Sequence, residues 1–219
     1  MKTRPALTTI TRSRYDRLAP RYDLMMGLME RLGMARLRRL LWSRVEGRVL
    51  EVGVGTGANL PFYPNGSRIV AIDLSPRMLD RAREKARKGR LPVGLGLMDA
   101  QALGFKDGSF DVAVGSWVFC SVPDPLLGLR ELKRTLRPGG RLLILEHVRL
   151  PGLPGRLMDL LNPLVVRLGG ENINRNTVEN VRRAGFQIEE ARPFLWGLVR
   201  LIQARGLPGG SPAIPPPRG

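Results

Sequence analysis

Ten residues constrain this chain more than any others: R-V-L-E-V-G-V-G-T-G, from Arg48 to Gly57. Val49, Leu50 and Val52 form the apolar run of a strand buried in a parallel sheet. Glycines come next at every second position, Gly53, Gly55 and Gly57. Lacking Cβ atoms, such a turn bends tightly and offers its N–H groups to a polar ligand. A helix is expected to open near Thr56 to Asn59 and to add its positive end. Gly53, Gly55 and Ala58 also satisfy the dinucleotide fingerprint G-x-G-x-x-G/A. On the loop alone, a nicotinamide or flavin ligand and a purely structural turn both stay open.

Beyond the loop the chain repeats a strand-then-helix order. Arg68–Asp73 reads as a second strand, Ser75 as an N-cap and Pro76 as the first helical residue. That helix runs to about Lys88, with a Glu84–Lys88 pair, and stops at Gly89. Val93–Met98 is a third strand ending at Asp99, and Phe110–Gly115 a fourth. Asp124-Pro125 opens a helix that ends at the R-P-G-G turn, Arg137 to Gly140, before a fifth strand over Arg141–His147. Pro151–Gly170 reads as a lid-like helical insertion. Asn176 with Glu179 resembles a capping box on a helix closing at Gly185. Phe186–Phe194 and Leu198–Ala204 suit a final strand pair. Alternation at this spacing predicts an α/β, doubly wound sheet.

Ahead of the glycine loop, residues 1–11 read as mobile. Tyr15-Asp16 and Tyr22-Asp23 then form a near-repeat, and Gly27 and Gly33 suggest two helices rather than one. The expected organisation is a helical cap over 1–47, one α/β domain over 48–205, and a Pro/Gly-rich disordered tail over 206–219.

Charge is the compositional anomaly. The formal net charge is +17, from 36 Lys and Arg against 19 Asp and Glu. Such a field attracts anionic partners, a lipid surface or nucleic acid. Arg12, Arg14, Arg17, Arg21, Arg31, Arg36, Arg38 and Arg39 surround Leu and Met residues, with Trp42 at the edge. These basic helices are expected to meet an anionic membrane, or else to pack on their own domain. A single cysteine, Cys120, excludes an internal disulfide and fits a reducing compartment. Met1 to Arg14 has no apolar run, so no secretory leader is expected. The expected location is cytoplasmic, peripheral on the inner face of the membrane.

In an open α/β sheet, ligands collect at the carboxyl ends of the strands. Those ends carry Glu51 to Gly57, Asp73, Met98-Asp99, Gly115-Ser116-Trp117 and Glu146-His147. Asp73, about 20 residues beyond the glycines, is placed to accept hydrogen bonds from a ribose diol.

E-V-G-V-G-T-G, A-I-D-L-S, Asp99-Ala100, F-D-V-A-V-G and L-R-P-G-G together resemble the class I S-adenosylmethionine-dependent methyltransferases, over about residues 48–148. The resemblance implies a Rossmann-like sheet of seven strands, the last antiparallel, and S-adenosylmethionine as cofactor. It assigns Glu51, Gly53, Gly55, Gly57, Asp73, Leu74, Met98, Asp99, Ala100 and Ser116 to cofactor binding. Asp73 would bind the ribose and Asp99 the adenine amine, with Met98 flanking the ring. The N-terminal near-repeat is similar to quinone-biosynthesis and bacterial phospholipid N-methyltransferases, which implies Tyr15 and Tyr22 as capping tyrosines. Residues 117–185, with W-V-F-C-S-V and L-E-H-V, are similar to the membrane-bound alkyl-thiol methyltransferases of animals, although their hydrophobic N-terminal anchor is not seen here.

Methyl transfer from a sulfonium needs an acceptor about 3 Å away and exclusion of water. No catalytic metal is needed, and one histidine and one cysteine offer no obvious ligand cluster. His147 is a candidate base beside Tyr15 and Tyr22, and Trp117 and Cys120 are candidate acceptor contacts. The expected acceptor is lipophilic: a phospholipid headgroup amine, then a quinone ring carbon, then an alkyl thiol. A nucleic-acid-binding protein is the alternative of another class. It is disfavoured because G-S-W-V stands where amino-methylating DNA and RNA enzymes carry an N-P-P-Y-type tetrapeptide.

Overall fold

The computed structural model describes residues 4–168 and 170–207. The expected tail from residue 208 onward, and the first three residues, lie outside them. Seven strands form one sheet: β1 (Arg48–Val52), β2 (Arg68–Asp73), β3 (Val93–Leu97), β4 (Phe110–Ser116), β5 (Leu136–His147), β6 (Phe186–Phe194) and β7 (Val199–Gly206), in the order β3-β2-β1-β4-β5-β7-β6. β1 to β5 are mutually parallel, and β7 runs antiparallel between β5 and β6. The order reverses at β1, where β2 lies on one side and β4 on the other, so the crevice opens above the glycine loop.

The central strands are buried because they carry apolar side chains on both faces. Val49, Leu50, Val52, Ala113, Val114, Leu142, Leu143 and Ile144 are all 1% exposed or less. On one face they pack against α4 (Pro125–Thr135) and α6 (Thr177–Arg183) through Leu129, Leu132 and Val181. On the other, Leu41 and Trp42 of α2 (Ala35–Trp42) reach Val112, Val114 and Leu143. α3 (Pro76–Lys88) begins as expected, with the Ser75 hydroxyl accepting from Met78 N–H at 3.1 Å.

Several expectations need correction. Residues 4–11 are not mobile: α1 runs unbroken over Arg4–Met29, through Gly27. The break comes in a π-helical turn, Glu30–Met34, where Gly33 adopts φ 127°. The glycine loop does not open directly into an α-helix. Pro61 and Pro64 leave only a single 3-10 turn, Leu60–Phe62, because a proline inside a helix removes a hydrogen bond and clashes with the preceding turn. β5 takes in the R-P-G-G turn through a register shift between Phe110 and Val112. β7 extends one residue past the expected domain boundary, to Gly206. The expected insertion is one helix, α5 (Gly152–Leu168).

Candidate active site

A cavity of about 910 Å³, counted to its mouth, opens at the carboxyl ends of β1, β2 and β4. Its floor is the Gly53–Thr56 turn, where a Cβ on Gly55 would meet no atom within 4 Å. Gly55 has φ 57°, a conformation costly for an L side chain, so this position gives a ligand direct access to the backbone. Gly53, on that floor, and Gly57 also meet packing limits: Cβ atoms there would strike the Val118 and Leu60 side chains. Gly57 is not on the cavity wall, a correction to its expected role.

Asp73 closes the β2 side. Its carboxylate accepts from Gly55 N–H and Ser75 N–H, both at 2.8 Å. Burial lifts its pKa to about 6 against those hydrogen bonds. Leu74, Met98, Asp99 and Ala100 line the next stretch of wall, and Ser116 and Trp117 the far side. Trp117 adopts φ 52°, which carries the chain abruptly out of β4.

α1 forms the roof, presenting Thr11, Tyr15, Tyr22 and Met26 to the cavity. Tyr15 and Tyr22 are seven apart, two helical turns, and so share a face. The aspartates after each tyrosine explain the near-repeat. Asp16 accepts from the Ser75 hydroxyl at 2.5 Å and Arg77 N–H at 3.3 Å. Asp23 accepts from the Thr56 hydroxyl at 2.5 Å and pairs with Lys85 at 2.9 Å. One residue of each pair faces the cavity while the other pins the helix to α3 or the glycine loop. Burial, first of all, raises both tyrosine pKa values well above the ordinary range, so both hydroxyls are neutral at pH 7.

Sequence reasoning misses two charged residues. The pattern of arginines places Arg38 on a membrane-facing stripe, but it is 7% exposed and lines the cavity. Its guanidinium donates to Asn59 Oδ1 at 2.8 Å and Ser116 Oγ at 3.0 Å, pairs with Glu30, and sits 4.6 Å over the Trp117 ring. Tyr15 Oη hydrogen-bonds the Ser121 hydroxyl at 2.5 Å and donates over a longer 3.4 Å to Glu171, whose pKa burial raises. A second chamber of about 670 Å³ shares Tyr22, Met26, Arg38, Thr56 and Ala58 with the first and adds Glu30, Phe62 and Lys85.

Three expected contacts stand behind the wall instead of on it. Glu51 is fully buried and accepts from the Asn59 amide and the Tyr63 hydroxyl. Burial lifts its pKa to about 7. Cys120 and His147 are also absent from the lining, so the expectation that His147 faces the acceptor is corrected. Burial lowers the His147 pKa and, with the Glu146 charge second, raises that of Cys120. One ligand-type atom each from Cys120, Glu146 and His147 lies within 4.8 Å of the others. The sequence hides this trio because 26 positions separate Cys120 from Glu146. Nor does α5 wall either chamber, so the insertion is not the expected roof.

A methyltransferase-domain family model matches residues 50–144. A phosphatidylethanolamine N-methyltransferase of Cereibacter sphaeroides is 46% identical over 103 residues, 46% of this chain and 51% of that protein. The chain thus spans about half the length of that relative. A human thiol S-methyltransferase is 36% identical over 190 residues, 81% of this chain and 77% of that protein. A ubiquinone/menaquinone biosynthesis C-methyltransferase of a Geobacter strain is 36% identical, covering 65% of each chain. Among solved structures, a SAM-dependent methyltransferase from Thermotoga maritima superposes with a TM-score of 0.67 and 25% identity, over 88% of this chain and 98% of that one.

Proposed function

The chain belongs to the S-adenosylmethionine-dependent methyltransferases, and on that premise we propose that it methylates a lipophilic amine, best a phospholipid headgroup amine. S-adenosylmethionine, when bound, supplies an electrophilic methyl group. The cavity suits such a ligand: the open position at Gly55 admits it to the backbone, and carboxylates stand at two strand ends. In this reading Asp73 accepts from the ribose hydroxyls, Asp99 from the adenine amine, and Met98 packs on the ring. Arg38 meets the carboxylate of the methionine moiety.

The amine reading rests on one observation: Tyr15 and Tyr22 line the same cavity, and Tyr15 leads out of it to Glu171. Aromatic faces attract an ammonium, methylated or not. An ammonium acceptor must also lose a proton before it can attack. Tyr15 Oη can take that proton while passing its own to Glu171, which burial makes a better proton acceptor than an exposed glutamate. The 46% identity to a phosphatidylethanolamine enzyme supports the headgroup amine. Alkyl-thiol S-methylation is the second reading, because the thiol enzyme aligns with far more of the chain, and quinone C-methylation comes third.

The test is transfer of labelled methyl to phosphatidylethanolamine vesicles, a demethylated quinone, an alkyl thiol and RNA in parallel. Phosphatidylethanolamine is expected to be labelled first. Labelling of the thiol alone, or of RNA alone, would replace the amine reading.

A further inference from the structure

Exposed apolar side chains are concentrated at one end of this molecule. α5 leaves the carboxyl end of β5, and the 195–198 turn joins β6 to β7 at the same end, since Val199 pairs with both His147 and Phe194. α1 crosses that end as the cavity roof. All but Leu97 and Leu207 of the large hydrophobics exposed among the described residues lie on α1, the π turn after it, α5 or the 195–198 turn.

On α5, Leu153, Leu157, Leu160, Leu161 and Leu164 fall within an arc of about 100° at 100° per residue. Leu153 and Leu160 are each 76% exposed. Trp196 is 99% exposed, and both it and Leu195 adopt positive φ, 54° and 50°. Two strained non-glycine residues present an indole that packs on nothing, so the strain serves presentation and not the core. On α1, Leu24 and Leu28 lie half a turn away from the face that carries Tyr15 and Met26, and so point away from the sheet.

We propose that this face docks on an anionic lipid bilayer, with α5 lying in the interface and Trp196 as its anchor. A leucine face with a tryptophan at its edge suits the headgroup boundary, where apolar side chains enter the acyl region and an indole rests at its margin. The charge is complementary to anionic lipid. The protein carries +17, Arg156, Arg167 and Arg192 are exposed around the face, and Asp159, the acid on α5, is neutralised by Arg149 at 2.7 Å. No helix among the described residues is long and apolar enough to cross a membrane, so the contact is interfacial. The chain after α5 is stitched to the segment that follows β4: Asn172 N–H donates to Cys120 O at 3.0 Å, and Arg175 to O of Val122, a residue of the cavity wall, at 3.1 Å. A bilayer on α5 therefore lies beside the cavity. The purpose of the contact rests on the lipophilic-acceptor reading; its detection needs no turnover.

The full chain is mixed with phosphatidylcholine vesicles, with and without phosphatidylglycerol, and followed by co-sedimentation and tryptophan emission. Trp42 is buried and Trp117 lines the cavity, so a blue shift on anionic vesicles should vanish in Trp196→Phe. Leu157→Ser/Leu160→Ser/Leu164→Ser should lower partitioning about tenfold or more, with S-adenosylmethionine binding unchanged by calorimetry. An unshifted emission, or partitioning equal to wild type in the triple variant, overturns the proposal. So does a dimer in velocity sedimentation that the triple variant abolishes while vesicles remain unbound, which would give the face to a second copy. Failure of the wild type to bind S-adenosylmethionine would sink the enzymatic reading and leave the vesicle result to be judged by itself.

Discussion

At the scale of single residues, the cavity separates positions that admit a ligand from positions that build its wall. Gly55 is of the first kind. Gly55→Val must hold φ near 57° at a cost of about 1–2 kcal/mol, and its side chain projects into the space a cofactor would fill. Calorimetry should show S-adenosylmethionine binding lost in a variant whose circular dichroism is native. Retained affinity would remove the loop from the site. Glu171 tests the proton route. Glu171→Gln keeps the volume and an accepting oxygen but removes the base beyond Tyr15, so turnover of an amine should fall near neutral pH and recover as alkaline buffer deprotonates the amine itself. Cofactor affinity should not move. A uniform loss of rate at every pH would make Glu171 a structural support of α1. Neither Arg38 nor Glu171 is legible in the sequence, because their site partners come from other elements: Asn59 and Ser116 for Arg38, Tyr15 for Glu171.

Among the elements, the sheet is readable from sequence and the roof is not, for a physical reason. Strands β1, β2 and β4 are apolar runs bounded by turn residues, and their limits come almost directly from those runs; β5 is apolar too, but it begins at Leu136, ahead of its run, by taking in the R-P-G-G turn. The first half of α1 buries little apolar surface: Thr8, Thr11, Tyr15 and Asp16 meet Asp99, the cavity and Ser75 mainly through polar groups. A helix held by hydrogen bonds across its interface leaves no hydrophobic period to detect. The helix expected after the glycine loop is absent for the opposite reason: a local motif suggests it, and two nearby prolines forbid it. The two docking aspartates are not equal. Asp23 is 39% exposed and its partner Lys85 42%, so solvent screens that ion pair and the Thr56 hydrogen bond carries most of its effect. Asp16 is part-buried and accepts two hydrogen bonds at the start of α3, where a carboxylate is also favoured by the helix dipole. Asp16→Ala should therefore loosen the roof more than Asp23→Ala, by about 1–2 kcal/mol. Hydrogen exchange along α1 would measure it, and equal protection in both variants would contradict this ranking.

For the whole molecule, the buried carboxylates make an unusual demand on pH. Burial raises Asp73 to about 6, Glu51 to about 7 and Glu146 to about 8. A carboxyl whose folded pKa lies above its unfolded value binds more protons when folded, so its contribution is complete below the unfolded pKa and declines as pH rises toward the folded one. The window here runs from about 4 to about 8. Asp23, Glu131, Glu189 and Glu190 are shifted downward and work in the opposite sense at the acid end, where they are more solvated and count for less; His147, held down by burial, also works in the opposite sense, one group against three. Stability should consequently fall as pH is raised from 5 to 8, where most proteins change little. Glu146 isolates the cause. Its Oε1 accepts from Val118 and Phe119 N–H, at 2.6 and 2.7 Å, while Oε2 is buried without a hydrogen-bond partner. Glu146→Gln keeps the accepting oxygen and removes the charge that the interior resists. Denaturant titrations should show the variant close to wild type at pH 5 and more stable than it at pH 8, with a shallower dependence between. If both proteins lose stability in parallel across that range, Glu146 is not the group whose charging the interior resists, and the pH dependence has to come from Glu51 and Asp73.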